Sequence, residues 1–204
     1  MRKILLRAAA LCLAAIISIS YTASTADASE NTASKDLIII NKKTNQLAYF
    51  HNGKLEKTYS VATGKTWSDT PVGFFKIVNK IKNRPYYTGH IAGGAPNNPL
   101  GSRWLGLNAN GTTGDTYGIH GNNSEASIGK YVSHGCVRMH NADVEELFDK
   151  VAVGTSVTIT YSSKTFEELA KVYGYGQLWK IKAYPKNVDK LLFFFIPIHE
   201  LRTM

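Results

Sequence analysis

The 204-residue sequence contains little cysteine, no long hydrophobic run and no internal repeat. Its two cysteines, Cys12 and Cys136, lie far apart, so they form no C-x-x-C pair of the kind found in zinc sites. An H-E-x-x-H metalloprotease motif is also absent. The apolar run at residues 8–19 is shorter than the about 20 residues that a membrane-spanning helix requires.

The first 28 residues have the pattern of a secretory signal peptide. Three basic residues flank the start of the apolar run, and an A-x-A cleavage motif ends at Ala28. We therefore predict a signal peptide at 1–28, a polar linker at 29–35, and a mature protein that is secreted into the cell envelope. Cys12 would be removed with the signal. The alternative is a transmembrane anchor, for which the run is short.

The chain is basic, with a formal net charge of +9. Loss of residues 1–28 would remove three basic residues and one acidic residue, leaving about +7. Because the lysines are spread along the chain, we interpret them as a solvated surface that favours a polyanionic neighbour, such as a bacterial wall polymer or a membrane surface. No nucleic-acid-binding motif is recognisable, and we predict no nucleic-acid partner.

The hydrophobic pattern predicts a mainly β, β-sandwich-like fold with one or two helices. Residues 37–40 are apolar and mostly β-branched, which indicates a buried strand. Asn52-Gly53, between two further apolar runs, is a strong hairpin signal. We predict strands at 37–40, 46–50, 54–61, 73–79, 104–107, 116–119 and 156–161.

Helices and loops complete the predicted organisation. The spacing of apolar residues predicts a helix capped by Asn141 or Asp143 and ending near Val151. The loop at 84–101 is rich in Gly, Pro and Asn and is long for a structureless connection, so we interpret it as a functional loop or lid. The predicted catalytic domain covers 36–161.

The remaining residues, 162–204, form a C-terminal extension of unknown role. A helix is possible at 165–173. A strongly apolar segment at 191–198 would pack on the domain, touch a membrane or a partner, or form a tail; it is too short to span a bilayer.

The strongest functional candidates are His120 in the YGIHG segment and Cys136 in the SHGCVR segment. Once the signal is removed, Cys136 has no partner for an internal disulfide. It is therefore inert and buried, paired with another molecule, or reactive. A thiol needs a base to become a nucleophile, and His120, at a predicted strand end, is the candidate general acid/base. The carbonyl of Gly121 could orient its ring.

Residues around Cys136 suggest how the site would be shaped. In an extended segment, His134 and Arg138 share the face of Cys136. Arg138 could then bind a substrate carboxylate, while His134 would shape the site. The backbone N–H groups of Gly135 and Cys136 could form an oxyanion hole. His140 is interpreted as solvent-facing or as a local cap.

A zinc site is the main chemical alternative, since His120, His134, Cys136 and His140 could supply ligands. No further thiol supports it, and we predict no metal and no cofactor.

Taken together, these segments resemble the L,D-transpeptidase (YkuD-type) catalytic domain of bacterial cell-wall enzymes. The resemblance covers about 36–161 and rests on the following segments: VATGK at 61–65, TPVGFFKI at 70–77, NPLG at 98–101, YGIHG at 117–121, SHGCVRM at 133–139 and GTSV at 154–157. Asn122-Asn123 departs from the threonine often found after the His-Gly pair.

The resemblance implies a specific chemistry. Cys136 would be the nucleophile and His120 the general acid/base, with Ser133, His134 and Gly135 lining the site and Arg138 facing the donor peptide. The thiolate would attack a tetrapeptide stem of peptidoglycan, release the terminal D-amino acid, and pass the acyl group to a neighbouring stem in a 3→3 crosslink. Carbapenem-type inhibitors are expected to acylate the thiol.

Two other functions remain open from the sequence. With water as the acceptor, the same acyl-enzyme would make an L,D-carboxypeptidase or a thiol peptidase. A wall-binding protein with a silent thiol is the alternative from a different class. Stem chemistry, preferred acceptor, timing of use and oligomeric state do not follow from the sequence.

Overall fold

A computed structural model describes residues 36–174, and within them the predicted mainly β fold is confirmed. The predicted signal peptide, linker and apolar segment at 191–198 lie outside the described residues. The strands are Asp36–Asn41 (β1), Gln46–His51 (β2), Lys54–Gly64 (β3), Gly73–Lys82 (β4), Arg103–Leu107 (β5), Tyr117–His120 (β6), Tyr131–Ser133 (β7), Val137–Met139 (β8) and Ser156–Thr160 (β9); the helices are Asn141–Lys150 (α1) and Phe166–Val172 (α2).

The strands form two layers joined at their corners by two long strands. The order is β2-β1-β9-β4-β5-β6-β8-β3-β7, and a further pairing between β2 and β3 closes eight of the strands into a ring. The first half of β3 pairs with β2 and its end pairs with β8 and β7. Likewise, β4 pairs first with β9 and then with β5. Strands that change layers in this way are typical of sandwich corners.

Strand β1 is buried on both faces, which explains its continuous apolar sequence. Ile38 and Ile40 point between the layers into the main core, together with Val157 and Ile159 of the parallel neighbour β9. Leu37 and Ile39 point the other way and belong to a second, smaller core.

The hairpin predicted at Asn52-Gly53 is confirmed. Both residues have positive φ, 51° and 76°, as a two-residue turn of type I′ requires. Other strands depart from the predicted bounds: β3 continues to Gly64 and β4 to Lys82. The short strands β7 and β8, on either side of the nucleophile segment, were not among the predicted strands.

Helix α1 begins where the sequence indicated, but neither Asn141 nor Asp143 caps it. His140 is the N-cap residue and makes no side-chain capping hydrogen bond. Asn141 is the first helical residue, and its side chain forms hydrogen bonds with the backbone of Asn122. The apolar side of α1, formed by Val144, Leu147 and Phe148, packs against β5 and β6, and β6 ends at His120.

Helix α2 confirms the possible helix at 165–173 and covers the outer face of β1 and β2. A capping box starts it, because Thr165 and Glu168 bond each other's backbone N–H. Leu169 and Ala170 are buried in the second core against β1 and β2. The packed unit therefore extends beyond residue 161. No helix among residues 36–174 is long and apolar enough to cross a bilayer.

Replacing Leu169 with alanine tests whether α2 stabilises the sheet. Leu169 is 2% exposed, so L169A should lower the free energy of unfolding by about 2–4 kcal/mol through lost burial and a cavity. Val172, on the same helix, is 56% exposed, and V172A should change it by no more than about 0.5 kcal/mol. Urea denaturation of both variants measures this; equal, small effects would mean that α2 contributes little.

Candidate active site

The pairing of β6 with β8 brings the two sequence segments together. These strands run parallel, with Ile119 opposite Val137 and His120 opposite Arg138. Cys136, just before β8, therefore lies beside the middle of β6. Its Sγ is 3.4 Å from the carbonyl oxygen of Thr116. Cys136 is half-buried and is in no disulfide.

His120 is held in one orientation by the backbone. It is 3% exposed, and its Nδ1 lies 2.7 Å from the carbonyl oxygen of Gly121, the contact considered from the sequence. A carbonyl can only accept a hydrogen bond, so Nδ1 carries the proton. In the neutral ring Nε2 is then the nitrogen without a proton.

Trp104 supports the histidine from the neighbouring strand, a contact that sequence reasoning missed. Trp104 and His120 face each other across β5 and β6, with ring centroids 5.5 Å apart and planes inclined by 18°. The indole N–H donates to the carbonyl of Gly114 at 2.9 Å. A Cβ at Gly118 would lie 2.7 Å from the indole ring, so only glycine leaves room for this stack.

The electrostatic environment favours a neutral thiol and a neutral imidazole. Burial lowers the pKa of His120 to about 4, an effect that hydrogen bonds to the backbone of Gly121 and Leu100 partly offset. Burial also raises the pKa of Cys136, while the Gly118 N–H and the guanidinium groups of Arg84 and Arg138 act in the opposite direction. At neutral pH the resting pair therefore has no charge, and the thiol proton must move as attack begins.

Ser133 and Gly135 fix the turn that presents Cys136. The Ser133 hydroxyl donates to the Cys136 carbonyl at 2.6 Å and accepts from the Gly135 N–H at 3.2 Å. Gly135 has φ of 132°, and a Cβ there would lie 2.7 Å from the carbonyl oxygen of Asp69. Because the Gly135 N–H already has an acceptor, the Cys136 N–H is the stronger of the two candidate oxyanion donors.

His134 and His140 interact with acidic residues in the structure. His134 is exposed and acts electrostatically on Asp69; the positive φ of Gly135 interrupts the extended alternation that would have placed it on the face of Cys136. His140 bonds the carboxylate of Glu125. Across residues 36–174, no three His, Cys, Asp or Glu side chains are grouped closely enough to hold a metal ion.

Arg138 is the middle residue of β8. In the parallel pairing it lies opposite His120. The positive charge of its guanidinium lowers the pKa of both His120 and Cys136. It forms no ion pair within the described part of the chain.

Two asparagines behind His120 were also missed by sequence reasoning. Asn141 accepts from the Asn122 N–H at 3.2 Å and donates to the Asn122 carbonyl at 2.9 Å. The Asn122 side chain donates to the Met139 carbonyl at 2.7 Å. This clamp ties the segment after His120 to the end of β8 and the start of α1. Asn122 is therefore a structural residue rather than a loose departure from the expected threonine.

Comparison with known proteins agrees with the observed fold. A family model for the YkuD L,D-transpeptidase catalytic domain matches residues 35–159. The chain belongs to this family.

Individual relatives give the same result. The chain is 53% identical over 133 residues to YqjB of Bacillus subtilis (strain 168), provisionally named an L,D-transpeptidase, covering 65% of this chain and 76% of YqjB. It is 45% identical over 108 residues to YkuD of the same strain, also named provisionally, covering 53% of this chain and 56% of YkuD. The chain thus matches little more than half the length of YkuD.

A solved structure supports the fold alone. The crystal structure of an L,D-transpeptidase from Mycobacterium tuberculosis H37Rv superposes with a TM-score of 0.51 at 16% identity, covering 61% of this chain and 57% of that chain.

The buried His120 predicts a specific dependence of stability on pH. Its native pKa of about 4 lies below the unfolded value of 6.5. As pH falls from 6.5 towards 4, the unfolded chain takes up a proton that the native site rejects. Stability present above pH 6.5 is therefore lost in this window, by about 3 kcal/mol in total.

Urea denaturation at pH 7, 5.5 and 4 measures this loss. The His120→Asn variant should lose about 3 kcal/mol less than wild type between pH 7 and 4. His90→Asn is the matched control, because His90 is exposed with φ of 52°, a conformation that asparagine tolerates. If His120→Asn and wild type lose stability equally, His120 is not held neutral by burial.

Proposed function

We propose that this chain is a peptidoglycan L,D-transpeptidase that uses Cys136 as nucleophile and His120 as general acid/base. The observation that carries the proposal is the fixed, neutral His120, whose Nδ1–H is bonded to Gly121, on the strand beside a half-buried thiol. An inert thiol would need neither an oriented base nor the unpaired Arg138 next to it.

Acylation begins when the Cys136 thiol gives its proton to His120 Nε2 and the sulfur attacks the carbonyl carbon of the third stem residue. The Cys136 N–H stabilises the oxyanion of the tetrahedral intermediate. When the C–N bond breaks, the imidazolium returns the proton to the leaving amine. The terminal D-amino acid departs and a thioester remains on Cys136.

Deacylation reverses these roles. An amine of a neighbouring stem gives a proton to His120 and attacks the thioester carbonyl. The C–S bond breaks, the sulfur recovers the proton, and a 3→3 crosslink is released. If water takes the place of the amine, the product is a shortened stem, and the enzyme is an L,D-carboxypeptidase.

The same proposal includes the location and surroundings of the protein. A signal peptide would deliver it to the cell envelope, where the excess of basic residues favours anionic wall polymers. A wall-binding protein with a silent thiol is the rival function. The orientation of His120 argues against it: the ring is stacked on Trp104 and hydrogen-bonded to Gly121, on the strand that pairs with β8.

Intact-mass analysis with a carbapenem tests the nucleophile. We expect the wild-type protein to gain the mass of one inhibitor molecule and Cys136→Ala to gain none. His120→Asn should be acylated more slowly by about 100- to 10,000-fold, because the general base is lost. Unmodified wild-type protein with a normal thermal melt would contradict an activated thiol.

Incubation with a disaccharide-tetrapeptide separates the functions. A crosslinked dimer together with free D-amino acid supports the transpeptidase, and a disaccharide-tripeptide alone supports the carboxypeptidase. Unchanged substrate with active carbapenem acylation would mean that the thiol acts on a different acyl donor. Cys136→Ala is the control for contaminating activity.

A further inference from the structure

A second arginine approaches the site from the loop at 84–101. The guanidinium carbon of Arg84 lies 4.3 Å from the ring centroid of Trp104, the residue that stacks on His120. Its Nη2 donates to the carbonyl of Asp115 at 3.0 Å. The next carbonyl along the chain, that of Thr116, contacts Cys136 Sγ. Arg84 is thus fixed beside both members of the candidate pair.

Arg84 and Arg138 both lie near the candidate site, and neither has an acidic partner among the described residues. None of the ion pairs found among residues 36–174 includes either guanidinium. Asp115 offers Arg84 its backbone carbonyl, while its carboxylate accepts from the Thr116 hydroxyl at 3.1 Å. The positive charges of both arginines lower the pKa of His120 and of Cys136.

Such a pair is suited to bind an anion. A guanidinium has five N–H donors, and the contact with Asp115 uses only part of the Arg84 set. Stacking on Trp104 also fixes the plane of the group. A planar donor held in place loses less entropy when it binds a carboxylate than a free side chain does.

We infer that Arg84, together with Arg138, binds the terminal carboxylate of the donor stem, so that the site selects a free chain end. This inference rests on the proposed function. His120 must protonate the leaving nitrogen, and the carboxylate carbon of the leaving residue is two bonds from that nitrogen. The carboxylate therefore lies close to His120 and Cys136, the two groups whose pKa values both guanidiniums lower. Arg84 would be a specificity-determining residue that binds the part of the substrate that departs.

Equilibrium binding to the full chain carrying Cys136→Ala tests the inference without catalysis. The probes are a stem tetrapeptide ending in D-alanine and the same peptide with a terminal carboxamide. Titration calorimetry should show that the acid binds about 10- to 100-fold more tightly, as expected for a charge-assisted contact. Adding Arg84→Gln should reduce the acid preference by about tenfold, since only Arg138 then contacts the carboxylate, and Arg84→Lys should reduce it less.

Lys57→Gln is the matched control. It also removes one positive charge, at an exposed lysine paired with Glu146, and it should leave the acid preference unchanged. Equal binding of acid and amide to the Cys136→Ala chain overturns the inference, as does a preference that Arg84→Gln leaves unchanged. If Arg84→Gln fails to fold, the acid–amide comparison and Arg84→Lys still decide it. Failure of the proposed function appears separately, as absent turnover by the wild-type chain.

Discussion

The parallel pairing of β6 with β8 is the constraint on which the site depends. Parallel neighbours cannot be joined by a tight turn and need a crossover of a dozen or more residues. The sixteen positions from His120 to Cys136 are that crossover. It contains the Asn122 clamp, a 3-10 turn at Glu125–Ser127 and strand β7, which pairs with β3. The number of residues between His120 and Cys136 is therefore set first by the crossover that the parallel sheet requires.

Burial at the end of this crossover sets the chemical character of the pair. The same packing that orients His120 also removes water from it, so the ring stays neutral and can accept a proton as the thiol attacks. The nearby guanidiniums favour a thiolate and disfavour an imidazolium. Cys136 and His120 are thus both neutral before substrate binds, and charge develops only as the substrate carbonyl is attacked. Preorganised donors are most effective under these conditions.

The sequence allowed prediction of those features that depend on neighbours in the chain. The hairpin, the buried β1 and the contact between His120 and the Gly121 carbonyl are local, and the residue types alone indicated them. Trp104, Arg84 and the Asn122–Asn141 clamp depend on partners brought together by the sheet. Asn141 was assigned to a helix cap because its local context suits one, yet its amide bonds a residue 19 positions earlier. The alternation expected for His134 does not hold, because Gly135 between it and Cys136 has a positive φ; its role in shaping the site stays a prediction.

The closed ring of eight strands has a consequence for association between molecules. An open sheet presents two edges whose unpaired N–H and C=O groups can recruit strands from other chains. In residues 36–174, ring closure through β2 and β3 leaves β7 as the terminal strand, and β7 is three residues long. Such a short edge is a poor template for intermolecular strand addition. The connectivity that assembles the site therefore also protects the domain against aggregation.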